Sequence, residues 1–158
     1  MNHSSYFTLL LPLVLLFVFL GCKDNAPSLA DRANSNIKRL RTCYGMYLSA
    51  HDFRGPKTEE ELKEYLKTTS GARKRLKRMG LTPDQVDGLF ISERDNEPFR
   101  VRYGINGVGD NAVVFESVGV DGLRLVAFVN PVELGEKEYQ DAWDNKKLAK
   151  SAVNVTKQ

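Results

Sequence analysis

The first 21 residues contain no lysine, arginine, aspartate or glutamate. The formal charge of +3 over 158 residues therefore belongs to residues 22–158. That excess is too small to argue by itself for a polyanionic partner. Cysteine is scarce, with Cys22 and Cys43 alone, and histidine occurs only at positions 3 and 51. Should His3 leave with a cleaved N-terminal segment and Cys22 be modified, the one thiol and one histidine that remain argue against a zinc site of the usual four ligands. His51 lies eight residues after Cys43, about 12 Å along a helix axis and roughly 80° around it. That spacing excludes a Cys–His dyad, and no other stretch supplies a nucleophile, a base and its orienting group. Internal repeats and low-complexity segments are absent as well. With 27% charged and 42% hydrophobic residues, the chain has the balance of an ordinary globular domain. It is long enough to bury a core without disulfides.

What is present begins with the run YFTLLLPLVLLFVFLG, Tyr6 to Gly21, in which Thr8 is the only strongly polar side chain. A secretory signal needs an apolar core of about 7–15 residues and a spanning helix about 20. The run lies between them. Phe19-Leu20-Gly21-Cys22 resembles the bacterial lipobox. In that motif the signal is cut before the cysteine and the thiol receives diacylglycerol. The resemblance implies export, with residues 1–21 as signal peptide, Cys22 as the lipidated residue and attachment to a cell-envelope membrane. An uncleaved anchor helix and a cleaved soluble product are the alternatives. Lipid on Cys22 leaves Cys43 odd, and its apolar helical surroundings point to a small buried hydrophobe.

Residues 22–27 form a polar tether, residues 28–143 a domain, and residues 144–158 a polar tail. Ser28 reads as a helix N-cap with Asp31 in the first turn. Leu29, Ala33, Ile37, Leu40, Tyr44 and Tyr47 or Leu48 recur at steps of three and four, which defines one helical face. Arg54-Gly55-Pro56 should stop that helix near Phe53. Thr58 and Glu61 have capping-box spacing before a short helix that buries Leu62, Tyr65 and Leu66. Thr68 to Gly71 breaks it. The basic stretch ARKRLKRMG comes next and closes at Gly80. Thr82-Pro83-Asp84-Gln85 opens another helical turn, ended by Gly88.

Beyond Leu89 the period changes to two. Phe99, Val101 and Tyr103 alternate with Arg100 and Arg102, as in a half-buried strand. Gly104 to Asn111 is a loop. Ala112–Glu116 is a second strand, Gly119–Gly122 a turn of the Asp-Gly kind, and Leu123–Val129 a third strand ended by Asn130-Pro131. Glu136–Trp143 reads as a short C-terminal helix. The expected class is α+β: a long N-terminal amphipathic helix and short helices packed on a small three- to four-stranded antiparallel sheet.

This order resembles the globular domain of type II secretion pseudopilins. The matching pieces are Tyr44 and Tyr47, then Gly55-Pro56-Lys57-Thr58-Glu59-Glu60-Glu61-Leu62. Arg94-Asp95-Asn96-Glu97-Pro98-Phe99 precedes the alternating strand, and Ser117-Val118-Gly119-Val120-Asp121-Gly122 comes later. The resemblance covers roughly residues 29 to 129. Phe7-Thr8-Leu9 echoes the family's leader, but Tyr6 replaces the glycine of the cleavage site and Leu11 the glutamate inside it. Leu123-Arg124-Leu125-Val126 succeeds the Asp-Gly turn where the main family member places acidic calcium ligands, so no metal is expected. The stretch Ser92 to Phe99 is also similar to one in small planctomycete-type lipoproteins of unassigned activity. Together these resemblances imply a structural or protein-interaction module; the alternative is an envelope enzyme, whose site would gather Glu93, Arg94, Asp95 and His51 in one deep pocket.

Arg73, Lys74, Arg75, Lys77 and Arg78 form the sharpest charge feature. They suit anionic lipid headgroups near the anchor or an acidic protein partner, and equally a solvated helix face. Nucleic acid is not expected, because no aromatic side chains interleave the charges. Glu93, Arg94, Asp95 and Glu97 read as turn formers, and His51 as a partner of the last helix carbonyls. No cofactor and no small-molecule substrate is implied.

Overall fold

The computed structural model describes residues 35–107 and 111–144. The expected signal segment, Cys22, the expected tether, the expected cap at Ser28 and the expected tail beyond 144 lie outside the described residues. The described domain is α+β. It contains helices α1 (Asn36–Ala50), α2 (Glu59–Thr68), α3 (Ser70–Arg78) and α4 (Glu136–Trp143). Its sheet has four antiparallel strands in chain order, β1 (Arg100–Val101), β2 (Val114–Phe115), β3 (Arg124–Ala127) and β4 (Pro131–Leu134).

Helix α1 exists because Ile37, Leu40, Cys43, Tyr44, Tyr47 and Leu48 bury one stripe at helical spacing. Burying each large apolar side chain contributes about 1.5–3 kcal/mol. The described helix starts at Asn36, with Ser35 extended before it. Its start is held from a distance: the Asn36 N–H donates to Glu93 Oε1 at 2.8 Å, and Asn36 Nδ2 donates to the carbonyls of Gly88 and Ile91. A carboxylate there suits the positive end of the helix dipole. The helix ends at Ala50, three residues before the expected stop. Asp52 and Phe53 turn left-handed, and Leu48 O accepts from the N–H groups of His51 and Phe53. The chain leaves through Gly55, where a Cβ would meet Tyr44 Oη at 2.5 Å and Ile105 O at 2.6 Å. Only glycine fits that approach.

Thr58 caps α2 by accepting from the Glu61 N–H, and Leu62 and Leu66 are buried as expected. The reciprocal half of the box goes elsewhere: the Glu61 carboxylate accepts from the Lys57 N–H and the Tyr47 hydroxyl. The expected four-residue break after α2 shrinks to Thr69 alone, because α3 starts at Ser70. Thr82 and Gln85 make a complete capping box around the 3-10 turn Pro83–Gln85. Gly88 does not end that segment. It lies inside a second 3-10 turn, Asp87–Phe90, which buries Leu89 and Phe90 beneath α1.

The sheet departs from expectation in two ways. The third strand ends at Ala127, before Asn130-Pro131 as expected, but that pair does not end the sheet. It belongs to the turn into β4, and Pro131 is the first residue of that edge strand, where a missing N–H is tolerated. The second departure is on the far face. Val114, Leu125 and Ala127 pack with α1, whereas Phe115, Val126 and Leu134 join Tyr139 and Ala142 of α4. The sheet is therefore covered on both sides. Arg100 and Arg102, expected to face solvent, are partly buried, and the Arg100 guanidinium lies 3.7 Å from the Trp143 ring centroid. The Asp121-Gly122 turn forms as expected, with φ of 53° and 75° and paired hydrogen bonds between Val120 and Leu123.

Candidate functional site

The basic stretch becomes α3, a nine-residue helix anchored by Ala72 and Leu76. At about 100° per residue, Arg75 and Arg78 fall on one flank, Arg73 and Lys77 on the other, and Lys74 points outward. All five cations are exposed, and none forms an ion pair among the described residues. From Tyr65 to Pro83 the sequence contains no acidic residue.

Beside α3 runs an open cleft of about 520 Å³, to which α1, α2 and α3 all contribute. Arg75 and Arg78 line one wall, over Gly71 and Ala72. Thr42, Gly45 and Ser49 of α1 line the other, and Met46 and Tyr65 supply its apolar part. The three hydroxyls are committed as donors. Thr42 Oγ1 donates to Lys38 O at 2.9 Å, Ser49 Oγ to Gly45 O at 2.9 Å and Tyr65 Oη to Met46 O at 3.3 Å. In that arrangement each keeps lone pairs free to accept from a ligand in the cleft. The cleft thus offers cationic donors on one side and neutral acceptors on the other. Nothing in the sequence ties Thr42, Ser49 or Tyr65 to the basic stretch, because their meeting depends on how α1 and α3 pack.

The second charged group, Glu93 to Glu97, is structural. Asp95 Oδ1 accepts from the Glu97 N–H, and Oδ2 accepts from the Gly119 N–H of the Asp-Gly hairpin at 2.6 Å. Burial alone would raise the Asp95 pKa. The N–H groups of Gly119 and Glu97 outweigh it and hold the carboxyl below its ordinary range. Asp95→Asn should therefore cost about 1–2 kcal/mol at neutral pH. A depressed folded pKa means that this stability is present above the ordinary aspartate range and lost as pH falls through the folded value. Urea denaturation of both proteins at pH 7 and at pH 3 checks this; a difference unchanged between the two pH values would contradict it.

Arg94 reaches inward, with Nη1 3.6 Å from Glu116 Oε2 and 3.0 Å from Glu133 Oε1. Glu116 is fully buried, although in the sequence it reads only as the end of an apolar strand. It accepts from Ser92 Oγ at 2.9 Å and from the Leu125 N–H at 2.7 Å. Burial pushes its pKa upward against the pull of the Leu125 N–H and Arg94. This buried cluster joins the turn to the sheet.

His51 lies at the opposite end of α1 from Glu93, about 20 Å away along the helix. Its Nδ1 is 2.8 Å from Tyr47 O, as expected for a residue at a helix end, and its ring stacks on Tyr47 at 3.9 Å. His51, Glu93, Arg94 and Asp95 are thus not brought into one pocket. Cys43 is buried and free, with its thiol pKa pushed up to about 12, first by burial, so it is a poor nucleophile. Among the described residues, no three His, Cys, Asp or Glu side chains gather where a metal ion could be held, and no helix is long and apolar enough to cross a membrane. No family model, no curated protein and no solved structure matches this chain.

Proposed function

We propose that this protein is a lipid-anchored cell-envelope lipoprotein whose domain is a structural or protein-interaction module, with α3 as the docking face. The observation that carries this reading is the α3 surface, where five exposed cations form no ion pair among the described residues and two of them border a cleft. Unpaired like charges on one short helix cost stability through mutual repulsion, and an anionic partner relieves it. Gly21-Cys22 at the end of the apolar run supports attachment through lipid on Cys22. The expected tether, residues 22–27, spans up to ~20 Å. It would leave the domain close to the membrane yet free to turn α3 toward a partner.

The order of parts supports a pseudopilin-like head: a helix bearing Tyr44 and Tyr47, a Gly-Pro exit, a short capped helix, and an antiparallel sheet with an Asp-Gly hairpin. In this reading the apolar periodicity upstream of Asn36 continues α1 into the long N-terminal helix of that architecture. A secretion-linked role, with the apolar run kept as an uncleaved anchor, is the alternative.

Cys22→Ser tests the anchor. Uptake of labelled fatty acid should disappear and the protein should leave the membrane fraction. Retention at the membrane without fatty-acid uptake would instead establish the uncleaved helix. Photocrosslinking from position 74 in intact cells tests the docking face. The expected result is one discrete crosslinked partner that is lost when Arg73, Lys74, Arg75, Lys77 and Arg78 are replaced by glutamine. A pattern unchanged by those replacements would overturn the assignment of α3.

A further inference from the structure

The cleft between α1 and α3 has a donor–acceptor pattern that selects a ligand class. Two guanidinium groups three residues apart are neighbours on one helix flank, and arginine is the side chain best suited to bind phosphate through paired N–H donors. An anion alone would satisfy only that wall. Opposite it, Thr42 and Ser49 present hydroxyl lone pairs whose protons already go to the carbonyls of Lys38 and Gly45, and Tyr65 Oη is committed to Met46 O. A ligand that satisfies both walls carries an anionic group at one end and hydroxyl donors at the other. The Tyr65 and Met46 side chains add an apolar surface suited to the C–H face of a sugar or glycerol unit.

The two glycines of the cleft fit this picture. A Cβ on Gly71 would meet nothing within 4 Å, and one on Gly45 would meet only Arg41 Nη1 at 3.4 Å. Neither has a left-handed backbone, so neither is demanded by backbone conformation. Each weakens its helix by up to about 1 kcal/mol relative to alanine. What they preserve is open space beside Arg75 and Arg78. The volume of about 520 Å³ lies within the range of small-molecule sites.

We infer that the α1–α3 cleft is a binding site for a phosphorylated polyol, a sugar phosphate or glycerol phosphate. Arg75 and Arg78 hold the phosphate, and Thr42 and Ser49 accept from the hydroxyls. The inference rests on the reading of α3 as the docking face, and not on lipid at Cys22. The ligand could be the headgroup of an anionic phospholipid or a free phosphorylated polyol, and the chemistry is the same for both.

The test is arginine footprinting. Full-length protein in neutral detergent is treated with phenylglyoxal, and modification at each arginine is read by mass spectrometry. Glycerol 3-phosphate should slow modification of Arg75 and Arg78 at least fivefold, while Arg54 and Arg73 are unchanged. Inorganic phosphate at the same concentration should protect less, because it lacks the hydroxyl donors. Phosphatidylglycerol bicelles, set against phosphatidylcholine bicelles, separate the sources. Protection by the lipid alone assigns a headgroup, protection by free glycerol 3-phosphate alone assigns a soluble ligand, and both outcomes support the site.

Gly71→Leu should abolish the protection while leaving the helical circular dichroism intact, because the position has room for a side chain. Equal protection of Arg73, Arg75 and Arg78 by any anion would overturn the inference and leave the docking face as a diffuse electrostatic surface. Protection by polyglutamate but not by glycerol 3-phosphate would also overturn it, in favour of an acidic protein. Neither failure bears on crosslinking from position 74, so the two readings fail separately.

Discussion

Arg94→Ala is expected to destabilise the domain by about 3 kcal/mol at neutral pH. The loss comes from what remains behind. Glu116 would stay buried with its two neutral donors, Ser92 Oγ and the Leu125 N–H, and without the guanidinium 3.6 Å away. Its folded pKa already lies above the ordinary carboxylate value, first because of burial, and removing Arg94 would raise it further. For a carboxyl with a raised folded pKa, the folded state binds the proton more tightly than the unfolded chain does. The charged form therefore costs stability as pH rises from the unfolded value, about 4.3, through the folded one. The deficit of Arg94→Ala should accordingly be large at pH 7 and small near pH 4. Glu116→Gln removes the charge and keeps one acceptor for the Leu125 N–H. It should be nearly neutral alone and should restore most of the stability of Arg94→Ala in the double variant. Urea denaturation of the four proteins at both pH values forms the cycle. Additive single effects, or a deficit independent of pH, would show that Arg94 acts through packing alone.

Tyr139→Ala should cost about 4 kcal/mol, the usual loss for emptying a large aromatic site. Tyr139 is fully buried on the far face of the sheet, with its ring centroid 5.7 Å from that of Phe115 in an edge-to-face arrangement. Its hydroxyl donates to Glu116 O at 2.7 Å. Tyr139→Phe removes that hydrogen bond, together with the longer one the hydroxyl accepts from Arg100 Nη1 at 3.4 Å, and should cost about 1–1.5 kcal/mol. Thermal unfolding monitored by circular dichroism reports both. If α4 were a loose appendage, Tyr139→Ala would leave the main transition in place, and only the fluorescence of the nearby Trp143 would change.

The elements legible in the sequence share one property: their determinants lie within a few residues of each other. The stripe Ile37, Leu40, Tyr44, Leu48 marks α1 because apolar side chains three and four apart must share a helical face. Thr58 and Thr82 mark helical starts because a side-chain oxygen reaches an N–H three residues on. Asp121-Gly122 marks its hairpin because both positions require positive φ. The bounds of α4 are legible for the same reason, although which surface it covers is not.

Expectation and structure part where local signals compete with distant partners. Arg100 and Arg102 alternate with apolar residues and so read as solvent-facing, yet Trp143 lies over Arg100 from some forty positions away. Glu93 reads as part of a turn, and it is the acceptor for the first N–H of α1. Pro131 reads as a terminator because proline lacks a donor, but at the start of an edge strand that donor is not needed. The candidate site is half visible. The basic stretch stands out from composition, but its division into a cleft-lining pair and three outer cations depends on which flank of α3 packs beside α1.

The sequence by itself determined the α+β class, the helical stripes, the turns and the presence of a basic helix, because periodicity and turn chemistry act over a few residues. It also carries the features at Gly21-Cys22 that suggest a lipid anchor. Only the tertiary structure decided that the sheet is covered on both faces, that Glu116 is buried against Arg94, and that Arg75 and Arg78 meet Thr42 and Ser49 across a cleft. Those outcomes depend on contacts between segments far apart in the chain, and the side chains involved have no local signature of the partner they find.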